Sequence, residues 1–171
     1  MKELNSKTKT IALGGVLLAL SLVTIFLASF IPGFELTLYA LSTFCVVIFI
    51  IETKAKGGWL FYGASCLLSL VLIPNKLALL PYIIFFGLYG LIKYYIERIR
   101  KQPVEIILKL LFFNGSWGIG LYFFKNLLIS NIGLPDYPVI VLIIAAQILF
   151  LLYDYILTQL IGFYRNRFYS F

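Results

Sequence analysis

The chain has 171 residues, 62% of them hydrophobic and only 12% charged, with a net charge of +7. Soluble domains carry about twice that charged fraction, and so few polar side chains do not cover a water-facing surface, which argues against a soluble domain and for a bilayer as solvent. The basic residues flank apolar segments instead of forming a stripe, so the positive charge speaks for membrane topology and against nucleic acid as a partner.

A spanning helix needs roughly 20 residues. Apolar runs fall near 11–31, 35–51, 57–73, 77–96, 105–130 and 138–163. They predict an all-α membrane protein, a bundle of six transmembrane helices that uses the whole chain as a single domain, 1–171. The runs are apolar at consecutive positions, without the alternation of a barrel strand, and a helix satisfies its own backbone in lipid.

The first run follows Lys2, Lys7 and Lys9. It is longer than the core of a signal peptide and has no convincing cleavage site, so it reads as a retained first helix. Within it Ala12, Gly15 and Ala19 are spaced three and four apart and share one face. Small residues in such a register let another helix approach closely, either inside the bundle or on a partner protein. Ile31-Pro32-Gly33 closes this run, and Glu52 through Gly58 separates the second from the third. Cys45 and Cys66 lie inside these two runs with no His in the chain, so they read as small buried hydrophobes and no zinc or haem site is expected. Ile73-Pro74-Asn75-Lys76 precedes the fourth run, which carries Tyr82 near its start, and a basic stretch with Pro103 follows it.

The fifth run holds Asn114, Trp117, Tyr122 and Lys125 near one stripe, with Gly115, Gly118 and Gly120 between them. At 1.5 Å per residue Asn114 falls near mid-membrane and Lys125 near the outer surface. Polar groups at that depth face a cavity or a partner helix, although Lys125 also suits snorkelling to headgroups. The loop after it offers Asn131, Asp136 and Tyr137, which with Glu35, Asn75, Lys76 and Tyr82 are candidates to line an outward-open pocket. The sixth run brings Gln147 to mid-membrane and Asp154 toward the inner side. A lone carboxylate there calls for a cation, and Lys109 and Lys93 lie at similar depth; a proton-coupling role is the alternative.

Counting Lys and Arg by side gives Lys2, Lys7, Lys9, Lys54, Lys56, Lys93, Arg98, Arg100, Lys101, Lys109, Arg165 and Arg167 against Lys76 and Lys125. Twelve against two places both termini and the even-numbered loops in the cytoplasm of a multi-pass protein of the cell membrane. No catalytic motif of a metalloprotease, a phosphate-binding loop or a serine hydrolase occurs, and Asp154 is the one carboxylate well inside a run, so no enzyme and no cofactor is expected.

The layout resembles the substrate-binding S components of energy-coupling factor transporters. The likeness lies in the basic start, Ala12-Leu-Gly-Gly-Val-Leu-Leu-Ala-Leu-Ser21, the Ile31-Pro32 break, the Lys-Gly-Gly before the third run and the close at Leu152-Tyr-Asp154 with a basic tail. Phe85 through Lys93 and Lys109 through Asn114 also resemble small membrane proteins of Gram-positive bacteria. The resemblance implies a bundle that binds a vitamin-like molecule from outside and docks on a transmembrane coupling protein driven by two ATPases. It implies docking through a small-x-x-x-small pair, here Gly15 and Ala19, with Ala12 on the same face. The ligand residues expected are Asn114, Trp117, Lys125 and Gln147. A structural or scaffolding membrane protein, such as an MreD-like cell-envelope factor, is the second expectation, and a proton-coupled carrier using Asp154 the third.

Overall fold

The structure is a computed structural model that describes residues 2–131 and 139–169. Five α-helices dominate it: α1 (Lys2–Ala28), α2 (Glu35–Leu72), α3 (Gly87–Ile96), α4 (Gln102–Asn131) and α5 (Val139–Tyr169). No strand occurs among the described residues. Among the described residues, four helical stretches, Thr8–Ala28, Glu35–Leu72, Leu77–Ile99 and Ile143–Arg167, are long and apolar enough to cross a membrane, consistent with a multi-pass membrane protein. The helices overrun the apolar runs at both termini. α1 begins at Lys2 in the polar leader and α5 continues to Tyr169 in the basic tail, because the run marks what lipid requires and not where the backbone bonds stop.

The chain divides into two compact units, Met1–Arg100 and Lys101–Phe171. In the first, α2 is a hairpin and not a rod. The Phe49 and Phe61 ring centroids are 5.1 Å apart, whereas twelve residues of straight helix would separate them by about 18 Å. The reversal occurs at Lys54, the one residue of α2 with non-helical dihedrals (φ 64°, ψ −173°). So tight a reversal demands glycines: a methyl built on Gly58 would lie 2.4 Å from Ile50 Cγ1 and 2.9 Å from Leu91 Cδ2. The expected second and third helices, 35–51 and 57–73, are the two limbs of this hairpin.

Contacts between the limbs and their neighbours set the register. α1 runs antiparallel to the first limb, with Ser21 against Ser42 and Gly14 against Phe49. The stretch 77–99 runs antiparallel to the second limb, with Tyr82 against Ser65. The core between them comprises Leu17, Cys45, Val46, Phe49, Ile50, Phe61 and Leu91. Both cysteines are free, Cys45 buried among these side chains.

The stretch 77–99 is not one regular helix. It opens with a 3-10 turn (Leu77–Leu79), passes through a π turn (Tyr82–Phe86), becomes α3 and ends in a second 3-10 turn (Glu97–Ile99) that Arg100 terminates in the left-handed region (φ 56°). Pro81 lacks the N–H of a regular turn and its ring crowds the preceding one, and the wider π spacing follows at once.

In the second unit α4 and α5 face each other. Lys109 Nζ meets Asp154 Oδ2 at 2.8 Å, the Phe113 and Phe150 rings stack at 4.6 Å, and Gln147 Nε2 donates to Asn114 Oδ1 at 2.7 Å. Numbers rise along one helix as they fall along the other, so the two are antiparallel.

Candidate functional site

Two groups of polar side chains lie within the apolar helices. The first belongs to the first unit, where Ser21, Ser42, Ser65 and Tyr82 are all fully buried. Ser21 and Ser42 share a hydrogen bond of 2.6 Å, and Ser65 and Tyr82 one of 2.7 Å. Around them hydroxyls reach the carbonyls of the irregular stretch. Thr43 donates to Phe86 O at 2.8 Å, Tyr62 to Ile83 O at 2.8 Å and Tyr39 to Ala78 O. A π turn leaves carbonyls without their usual helical donor, and in lipid each must find another. The hydroxyls of α2 supply it. The cluster is closed on itself, and what it does chemically is tie four helical segments together.

Tyr82, one of the candidates to line an outward-open pocket, is instead fully buried, its phenol against Ser65. Three of the other outer-loop candidates serve local turns. Glu35 accepts from the Gly33 N–H at 3.0 Å, Asn75 accepts from the Leu77 N–H at 3.2 Å, and Lys76 Nζ donates to Ile73 O at 2.7 Å and to Leu70 O. Asp136 and Tyr137 lie outside the described residues, and the side chain of Asn131 is not among those described.

The second group lies on α4 and α5. Asn114 Nδ2 donates to Leu110 O at 2.8 Å and its Oδ1 accepts from Gln147. The Gln147 carbonyl oxygen is buried and has no hydrogen-bond partner among the described residues. A buried amide oxygen left unpaired costs about 1–3 kcal/mol, so this atom is an open acceptor. Trp117, one turn from Phe113 with ring centroids at 6.2 Å, is 53% exposed. Three expected ligand residues, Asn114, Trp117 and Gln147, thus occupy one stretch of the α4–α5 pair. The fourth, Lys125, lies on α4, but its side chain is outside the described ones, as is that of Tyr122.

No family model, no curated protein and no solved structure matches this chain.

Asp154 has found its cation. Lys109 Nζ holds it at 2.8 Å, itself only 5% exposed, and within the first unit Lys93 Nζ lies 2.8 Å from Glu97 Oε1. Each pair neutralises a charge that lipid would not solvate.

On α1, Gly14 and Gly15 have opposite surroundings. A methyl on Gly14 would meet the Phe49 ring at 2.8 Å, whereas one on Gly15 meets nothing within 4 Å. Ala12, Gly15 and Ala19 are all exposed. Of the two roles that the spacing allows, packing against another helix of the first unit is therefore not the one seen. Sequence reasoning missed Ser21, Ser42, Ser65 and Thr43. The available signal was that Tyr39, Ser42 and Thr43 share one helical face, as do Tyr62, Ser65 and Ser69.

Proposed function

We propose that this chain is a six-span subunit of a bacterial importer in the cell membrane, with both termini cytoplasmic. It binds a small vitamin-like molecule from outside and docks on a transmembrane coupling protein driven by ATPases, as S components of energy-coupling factor transporters do. The six crossings are α1, the two limbs of α2, the stretch 77–99, α4 and α5. The distribution of Lys and Arg, twelve against two, supports the orientation.

The observation that carries the reading is the exposed Ala12–Gly15–Ala19 face of α1, open at Gly15 beside a neighbouring glycine that is fully packed. Between helices in lipid, close approach of small residues is a main source of association. A face left open in an otherwise apolar helix suits an incoming helix better than lipid chains. The open Gln147 acceptor and the neighbouring Asn114 and Trp117 support the ligand site, a polar grip beside an aromatic plane. Asp154 serves in this reading as a structural anchor on Lys109, so a proton-coupled carrier is not carried forward.

The test is native mass spectrometry of the protein gently purified from its own host, wild type beside Gly15→Leu. The wild type is expected to bring a coupling complex and a bound metabolite. Gly15→Leu is expected to lose the complex at an unchanged unfolding temperature. A ligand-free wild type accompanied by cell-envelope machinery would replace this reading with that of a scaffold.

A further inference from the structure

Among the described residues, two that are not glycine have positive φ: Lys54 (64°) and Arg100 (56°). Both are basic, both are exposed, and both lie in the first unit. The register puts them at the same end of it. Gly14 of α1 packs on Phe49, one turn before Lys54, and Gly58, one turn after it, packs on Leu91 of α3, which leads on to Arg100. Lys56 and Arg98 are exposed at this end as well. The other end of the unit has Lys76, whose ammonium is spent on the carbonyls of its own turn.

Positive φ disfavours any residue with a Cβ, and the dihedrals of Lys54 (φ 64°, ψ −173°) fall in a region that is essentially glycine's alone. Glycine would make both turns with less strain. Neither cation repays the strain internally, since neither joins an ion pair among the described residues. Strain kept where a simpler residue would serve marks a side chain retained for an external contact. The surroundings say which contact. Trp59 and Tyr95, 46% and 44% exposed, are close in sequence to Gly58 and Leu91 and so sit at this same end, as aromatics do at the headgroup level of a bilayer.

We infer that the basic end of the first unit is a docking surface for anionic phospholipid headgroups, gripped by Lys54 and Arg100 with Lys56 and Arg98 beside them. The inference goes beyond the importer reading and stands without it.

The experiment compares wild type with the Lys54→Gly, Arg100→Gly double variant in neutral detergent, titrated with phosphatidylglycerol and separately with phosphatidylcholine. Binding is read by native mass spectrometry and by the unfolding temperature. Wild type is expected to prefer phosphatidylglycerol and to be stabilised by it. The double variant is expected to fold at least as stably in detergent and to bind phosphatidylglycerol roughly fivefold more weakly per cation removed. The control Arg165→Gln, Arg167→Gln removes equal charge from the second unit and is expected to lose much less. Equal losses in the two variants, no preference in the wild type, or the same stabilisation by inorganic phosphate would each overturn the inference.

Discussion

The two units solve one problem, polar groups inside apolar helices, with different chemistry. Beside the Lys93–Glu97 pair, the first relies on neutral hydroxyls. Thr43 and Tyr62 donate to carbonyls that the π turn has released, and Ser21, Ser42, Ser65 and Tyr82 pair with each other. The second uses full charges and amides, Lys109 on Asp154 and Gln147 on Asn114, with the stacked Phe113 and Phe150 between them. Hydroxyl pairs cost little to bury and little to lose. A buried ion pair is neutral only while both members remain, so losing one member of the Lys109–Asp154 pair costs more than losing one hydroxyl of the first unit's network.

The sharpest way to break this contrast is Lys109→Met. It removes the Lys109 partner of Asp154, and breaking a buried ion pair by removing one member costs about 3–5 kcal/mol. The double variant Lys109→Met, Asp154→Leu removes both charges and is expected to recover most of that loss, since apolar replacements of buried pairs are often neutral or better. Thermal unfolding in detergent, run as a double-mutant cycle, measures the difference. A double variant as unstable as the single one would show that the pair does more than neutralise itself.

In the first unit the largest effect is expected from Gly58→Leu. The new side chain enters a space where even a methyl would sit 2.4 Å from Ile50 Cγ1. Overpacking of this kind costs about 1–3 kcal/mol, and here it opposes the hairpin itself. The yield of monodisperse protein and its unfolding temperature are both expected to fall. Gly15→Leu, on the open side of α1, is the matched control and is expected to leave both unchanged.

Tyr82→Phe probes the hydroxyl network. It deletes one bond to Ser65, whose hydroxyl still donates to Tyr62 O at 2.8 Å. Within membranes such bonds average about 0.6 kcal/mol, so a small drop in unfolding temperature is expected. A loss as large as that of Lys109→Met would mean that the four segments depend on this one phenol.

The helices were legible because lipid demands long apolar runs, and the turn at Lys54 because a polar stretch with two glycines interrupts one. The bulk of the candidate site was legible for the converse reason, that Asn114, Gln147 and Asp154 stand out in apolar surroundings. Which groups meet was not. Depth along a helix follows from counting residues, but direction around it does not, so the sequence does not say that Lys109 in particular meets Asp154 or that Lys93 reaches Glu97. The buried serines were overlooked because side chains facing lipid and side chains facing the core are alike apolar, and the periodicity that marks an inner face in water is faint. The same ambiguity leaves Ala12, Gly15 and Ala19 with two roles in the sequence, and exposure sets them apart from the packed Gly14.

The smallest expected effect lies at the amide pair, and it bears most directly on function. Gln147→Leu removes the donor to Asn114 and also the unpartnered buried oxygen. Losing the bond costs about 0.6 kcal/mol, while removing an unsatisfied buried acceptor returns a comparable amount. The unfolding temperature is therefore expected to stay within about a degree or two of wild type. A pair kept only to hold α4 on α5 would leave no other trace. A pair kept to bind a ligand would lose the metabolite that purifies with the wild type while the fold stays intact. A stability measurement and a ligand measurement on the same variant thus separate the two, and a clear fall in stability with the metabolite retained would remove Gln147 from the site.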